Sequence, residues 1–272
     1  MHVFETPGLV LLRISSDVGT VTIDAGGSAS SVEVDIQPMR NNSASQEAAE
    51  QTKVELVERG GRYEVAIESP KRWLSFGRGA SIAIRVSCPE GAELEVATAT
   101  ADVETRGSLA AVGAKTATGD LRFDVVSGDV AVNSASGDIA IGEIGGAGKV
   151  RSASGDVSVA LGRGALSVNS ASGDVRVDRA LTSISAATAS GDIEIGAVEA
   201  GEVRLQSVSG DVRVGVREGL RVWIDASSVS GTISSDLPAE DGPPADGGAV
   251  LEIHARTVSG DVGIVAAVGV IA

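Results

Sequence analysis

Aromatic side chains are almost missing: three Phe, two Trp and one Tyr make up 2% of 272 residues. A core without rings must be filled by Val, Ile, Leu and Ala, which suits thin regular layers better than a bulky globular interior. Cys88 is the only cysteine, so no intramolecular disulfide can form. Proline is absent between Pro89 and Pro238, which leaves that stretch free to form an uninterrupted strand ladder. Histidine occurs only at positions 2 and 254, and no Gly-x-Ser-x-Gly elbow, Walker loop, zinc spacing or dinucleotide fingerprint is present. The opening Met1–Pro7 lacks a basic stretch and a long apolar run. That predicts no signal peptide and hence a cytoplasmic location. The apolar run from Val262 to Ala272 is about half the ~20 residues that a spanning helix needs, so no transmembrane segment is expected. Basic residues are few, 22 against 37 acidic, for a net charge of -15. Such a field repels phosphate backbones and excludes nucleic acid as a partner of the bulk surface.

Glycine, by contrast, is plentiful at 35 residues and falls at fixed points. Ser-Gly-Asp or a close copy recurs on a beat of nine and eighteen residues, ending at Asp120, Asp129, Asp138, Asp156, Asp174, Asp192, Asp211 and Asp261. Thr100-Ala101-Asp102 is a worn copy and Ser230-Gly231-Thr232 a variant. A short fixed period marks one supersecondary unit used repeatedly. After each Asp the pattern is apolar-variable-apolar: Leu121 and Phe123, Ile139 and Ile141, Val157 and Val159, Val175 and Val177, Ile193 and Ile195. This is a strand with one buried face. The other half of each unit carries a second strand, through Val132, Val150, Val168, Ala186 and Leu205. Its last positions are a hydroxyl column (Ser134, Ser152, Ser170, Thr188, Ser207) followed by Ala135, Ala153, Ala171, Ala189 and Val208. Strict alternation puts the hydroxyls inside; a bend before the Gly would put the Ala/Val column inside. Both arrangements fit the sequence.

Two short strands and two turns per eighteen residues fit either a solenoid or an antiparallel meander. The solenoid covers its apolar face with its own opposite wall, whereas a meander needs a second layer. The expected fold is therefore all-β, a right-handed parallel β-solenoid with coils of about eighteen residues. Residues 1–95 lack the beat and read as a β-rich cap continuous with the stack, with strands over Val18–Ile23, Val32–Ile36, Tyr63–Ile67 and Ile82–Val86. Ser45–Thr52 reads as a surface helix with Ser45 as its N-cap. Residues 96–272 form the repeat domain. A Pro/Gly-rich loop at 236–249 interrupts it, after which the Asp261 unit is added as one more coil.

The Asp column is the sharpest candidate feature. A row of carboxylates at one edge could bind Ca²⁺, and the nine-residue beat matches that of calcium-binding β-rolls. The Gly-Gly-x-Gly-x-Asp pattern is missing, however, and one Asp per coil supplies too few ligands. The better reading is that each Asp accepts backbone N–H bonds within its own turn. No metal or cofactor is therefore expected. The loop carrying Arg72, Trp73, Phe76 and Arg78 mixes basic and aromatic residues. It reads as a plug for the end of the stack, or as a contact loop. Trp223 is out of phase with Val222 and Ile224, which fits packing under the 236–249 loop.

The recurrent Ser-Gly-Asp-Val/Ile unit, the leading Val18-Gly19-Thr20-Val21 strand and the Arg85-Val86-Ser87-Cys88-Pro89-Glu90-Gly91-Ala92 passage resemble a bacterial family of β-strand-repeat domains labelled "putative adhesins". The resemblance spans nearly the whole chain. It implies a solenoid, an envelope-associated location and no catalytic residues. Together these readings predict a non-enzymatic adhesin-like scaffold that presents a rigid β-surface to a protein or glycan, in an oligomeric state that the sequence leaves open. The alternatives are a Ca²⁺-dependent β-roll and, further off, a carbohydrate-active β-helix using residues such as Asp156 and Asp174.

Overall fold

The computed structural model describes residues 1–27, 30–70, 79–237 and 251–267. The Arg72, Trp73, Phe76 and Arg78 loop lies outside the described residues, and so does the 236–249 loop from 238 onward. The chain divides into two compact units, Met1–Ala140 and Ile141–Ala272. It is all-β apart from one short helix.

The first unit contains β1 (His2–Glu5), β2 (Leu9–Ser16), β3 (Gly19–Ala25), β4 (Ser31–Pro38), α1 (Ser43–Gln51), β5 (Lys53–Arg59), β6 (Arg62–Glu68) and β7 (Ile82–Cys88). These are followed by β8 (Glu93–Thr98), β9 (Asp102–Leu109), β10 (Ala111–Thr116), β11 (Leu121–Val126) and β12 (Val130–Ser136). One wall runs β1-β4-β7-β3-β9-β11 and the other β5-β6-β2-β8-β10-β12. The strands expected from alternation in the first 95 residues are present as β3, β4, β6 and β7. From β7 and β6 inward the neighbours run parallel, as in Thr22↔Arg85, Ile14↔Val96 and Ala114↔Val132. Only the outermost strands, β1, β4 and β5, pair antiparallel. Strands β2 and β3 therefore form a rung of their own between the β6/β7 rung and the β8/β9 rung.

Helix α1 starts two residues before the expected position. Asn42, not Ser45, is its N-cap: the Asn42 Oδ1 accepts the Ser45 N–H at 2.8 Å. Ser45 is buried, and its Oγ accepts the Ser81 N–H at 3.1 Å. The Asn side chain can satisfy a first-turn donor from outside the helix, which leaves Ser45 free to anchor the strand beneath.

The second unit holds β13 (Ile139–Ile144, from Ile141 on), β14 (Gly148–Ser154), β15 (Val157–Gly162), β16 (Leu166–Ser172), β17 (Val175–Ala180) and β18 (Ile184–Ser190). It continues with β19 (Ile193–Val198), β20 (Glu202–Ser209), β21 (Val212–Val216), β22 (Val222–Ser230), β23 (Ile233–Ser235), β24 (Leu251–Ser259) and β25 (Val262–Ala266). Every neighbouring pair described here is parallel and keeps like residues together: Val150↔Val168, Val157↔Val175, Val168↔Ala186, Val177↔Ile195. Parallel pairing rules out the meander, in which neighbours would alternate in direction.

The order of the last rungs differs from the expectation. The Asp261 unit is not appended after the Thr232 unit; it is inserted. β24 lies between β20 and β22, and β25 lies between β21 and β23. The burial patterns give the reason. β24 alternates strictly, with Leu251, Ile253, Ala255 and Thr257 buried, so it needs neighbours on both sides. β22 buries only Val222, and β23 is exposed throughout, so these strands tolerate an edge.

Inside the walls, alternation holds up to the turn. Ser134, Ser152, Thr188, Ser207 and Thr257 are buried, while Val208 and Val258 are half exposed. Several of these inward hydroxyls donate to carbonyls of the stacked turns. Ser207 Oγ donates to the Gly191 carbonyl (3.2 Å), Thr257 Oγ1 to Gly210 (3.1 Å) and Ser228 Oγ to Gly260 (2.9 Å). An Ala or Val at these positions would remove these bonds to the turn carbonyls.

Candidate functional site

The Ser-Gly-Asp turns are welded to one another rather than closed on themselves. The carboxylates do accept backbone N–H groups, but from the next rung instead of their own turn. Asp156 Oδ1 accepts the Asp174 N–H (2.8 Å), Asp174 the Asp192 N–H (2.8 Å), Asp192 the Asp211 N–H (2.8 Å) and Asp211 the Asp261 N–H (2.8 Å). In the first unit Asp102 serves Asp120 (3.0 Å) and Asp120 serves Asp138 (3.1 Å). The worn copy at Asp102 is thus a working member of the ladder. Backbone bonds run the other way: Gly173 N–H donates to Ser190 O and Gly191 N–H to Ser209 O, each at 3.0 Å. The own-turn expectation failed because stacked parallel turns place each N–H above the preceding carboxylate, within easier reach than any donor of the same tight turn.

The ladder ends where the sequence changes. Asp261 Oδ1 accepts the Thr232 N–H at 2.7 Å. Among the described residues Thr232 belongs to the outermost rung, with no further N–H to serve, so a carboxylate there has no task. Asp129 sits at the opposite turn, where its carbonyl accepts the Val112 N–H at 3.0 Å. Bonds to an exposed carboxylate contribute about 1 kcal/mol each, since water replaces them when lost. Asp192→Ala should therefore destabilise the protein by about that amount in chemical denaturation. Asp192→Asn, which keeps an acceptor oxygen, should recover most of it, and Thr232→Asp should change nothing.

On the wall below the ladder, Arg122 reaches Asp120 (Nη2 to Oδ2, 3.3 Å). Arg176 instead bridges Asp178 (3.0 Å) and Glu194 (2.8 Å) on the wall. Cys88 is fully buried, and burial, helped by the Asp24 charge, pushes its thiol up to about 12, so it behaves as an inert apolar side chain.

A second cluster escaped the sequence reading. On the outer face of the second unit, Arg204 and Asp225 flank His254 as direct register partners, with Glu202, Trp223 and Glu252 two residues earlier on the same face. Trp223 packs edge-on to the His254 ring, with centroids 5.2 Å apart and planes at 81°. It is half buried against this ring, which is where the out-of-phase position puts it. His254 Nδ1 lies 3.4 Å from Asp225 Oδ2 and Nε2 3.6 Å from Glu202 Oε1. Arg256 bonds Asp225 at 3.1 Å and, with His254, holds that carboxyl below its usual range. The residues come from segments some fifty positions apart, joined only because β24 is inserted beside β20. The one sequence signal was Glu252-x-His254, two polar residues on the same side of a strand.

Comparison with known proteins places this architecture. No curated protein matches the chain. Solved structures aligned with it include a "putative lipid binding protein" from Parabacteroides distasonis, at 14% identity over 97% of this chain and 95% of that one, with a TM-score of 0.43. A "putative adhesin" from Bacteroides fragilis aligns at 12% identity over 97% and 95%, with a TM-score of 0.38. A "putative cell adhesion protein" from Clostridium sporogenes aligns at 11% identity over 97% of both chains, with a TM-score of 0.27. Among the described residues no helix is long and apolar enough to cross a membrane. The signature of the Toastrack DUF4097 family matches residues 12–265, and the chain belongs to that family.

Proposed function

We propose that the protein is a non-enzymatic, adhesin-like scaffold whose outer wall docks a protein or glycan at the bacterial envelope. In this reading the walls wind as a right-handed solenoid with coils of about eighteen residues, and residues 1–95 cap the first coils. The observation that carries it is the register-locked outer face of the second unit. Lys149, Ser167, Ser185, Arg204 and His254 form one column, and Arg151, Asn169, Ala187, Gln206 and Arg256 the next. On a chain of net charge -15 this wall carries Lys149 and Arg151 among neutral polar residues, and beyond them Arg204 and Arg256 beside the carboxylates Glu202, Glu252 and Asp225. Backbone pairing on both sides fixes the spacing of these side chains at about 4.8 Å. A preordered array loses little conformational entropy on docking, which favours an extended partner such as an acidic glycan. The Asp ladder supports a structural rather than catalytic use of Asp156 and Asp174, since the Oδ1 of each is engaged by the next rung.

The test is saturable binding of the labelled protein to an array of acidic bacterial glycans. Binding should fall at least tenfold when Lys149, Arg151 and Arg204 are changed together to Ser. Equal binding by that variant, or turnover of an arrayed glycan, would overturn the proposal.

A further inference from the structure

The structure assigns a divalent-metal site to Glu202, Glu252 and His254, suited to Zn²⁺ or a similar first-row ion. One ligand atom from each of the three lies within 4.8 Å of the others. One imidazole nitrogen and two carboxylate oxygens form the mixed donor set of an open zinc site, with a fourth position left for water or a partner's ligand. A tetrahedral ion with bonds of about 2.1 Å separates its ligands by about 3.4 Å. The Nε2 to Glu202 distance of 3.6 Å is already close to that. Glu252 must swing in by a rotamer change, and its exposed position permits this.

Three further features fit a built site better than a chance cluster. First, Glu202 and Glu252 are direct register partners on neighbouring strands. Like charges so placed repel, and a cation between them removes the penalty. Arg204 pairs with Glu202 but is itself 60% exposed, while no hydrogen bond or ion pair to the Glu252 carboxylate is found among the described residues. Second, Asp225 faces His254 Nδ1, and Arg256 keeps that carboxylate in place. A proton held on Nδ1 leaves the Nε2 lone pair directed at the two glutamates, the carboxylate–histidine arrangement that orients metal-bound imidazoles. Third, the Trp223 ring fixes the plane of the imidazole. An imidazole ligand disfavours Ca²⁺, which takes oxygen donors. The site therefore differs in chemistry and in place from a β-roll calcium ladder.

The site would also clamp the inserted rung, because its ligands span β20 and β24 while Asp225 comes from β22. Isothermal titration of the full chain with Zn²⁺ tests it. One equivalent should bind. His254→Ala and the Glu202→Gln/Glu252→Gln pair should each weaken binding by tenfold or more, and Asp225→Asn should weaken it by about tenfold by losing only the orienting contact. His254→Gln guards against loss of packing, and circular dichroism checks that each variant is folded. Co²⁺ should give a visible d–d spectrum that His254→Gln abolishes. Zn²⁺ binding that His254→Ala and His254→Gln both retain would overturn the assignment and place the ion on the general acidic surface, as would a Ca²⁺ response of equal strength.

Discussion

Cysteines introduced in pairs at positions 208, 229 and 258 should cross-link in only two of the three combinations. Val208 and Val258 lie between the register pairs Ser207↔Thr257 and Ser209↔Ser259, and Val229 and Val258 between Ser228↔Thr257 and Ser230↔Ser259. All three side chains are exposed, at 55%, 50% and 83%, so oxidant can reach them. Neighbouring strands are about 4.8 Å apart and second neighbours about 9.6 Å, while a disulfide tolerates Cα separations up to about 7 Å. Val208→Cys with Val258→Cys and Val229→Cys with Val258→Cys should therefore close under mild oxidation. Val208→Cys with Val229→Cys should stay reduced. The native Cys88 is buried with a thiol pushed up to about 12, so it does not compete. Stacking in chain order would instead link 208 with 229 and leave 208 with 258 reduced, while 229 with 258 links in either order. Non-reducing electrophoresis with peptide mapping distinguishes the two results.

The insertion has a counterpart in the first unit. The rung formed by β2 and β3 is also paired on both sides, and β6 and β7, which follow it in the chain, lie outside it. In both units, therefore, two rungs stack in the reverse of their chain order. A rung on the outside of a stack leaves an unpaired edge, which is a template for aggregation. The sheet edges fall to the short β1, to charged β5 with Lys53, Glu55, Glu58 and Arg59, and to the serine-rich β22–β23.

Alternation and the eighteen-residue beat made the strands, their burial and their parallel stacking readable, because those features depend on local pattern repeated many times. Leu121, Ile139, Val157 and Val175 are buried as the columns required. Rung order was not readable. A unit's own residues say that it stacks, but not on which neighbour, and Thr232 gains meaning only once it is known to lie at the edge. The Asp ladder was half legible: the acceptor role followed from the residue type, whereas the donor on the next rung required the stacked geometry. The His254 cluster was invisible for the same reason as the rung order, since a tertiary insertion brings Glu202 to Glu252.

Replacing Gly173 with Ala should be among the most damaging single substitutions in the molecule. Two independent demands meet at this position. The backbone sits at φ +126°, a region that L side chains rarely adopt, and an added Cβ would lie 2.3 Å from the Gly155 carbonyl oxygen of the preceding rung. The first demand alone costs about 1–2 kcal/mol. The second can be relieved only by moving one rung off another, which strains the Asp156–Asp174 bond and the ladder bonds flanking it. Gly91 separates the two demands, because it has φ +79° but no atom within 4 Å of its would-be Cβ. Gly91→Ala should lower the melting temperature by about 2–4 °C, and Gly173→Ala by about 5–10 °C, the shift expected for roughly 3 kcal/mol in a chain of this size. Stacked repeats lose cooperativity at a weakened interface. Gly173→Ala should therefore also broaden or split the unfolding transition, with amide exchange fastest in the rungs holding Gly155 and Gly173. Equal shifts for the two variants would show that the rung spacing yields without cost, and the rigid-array basis of the proposed function would fall with it.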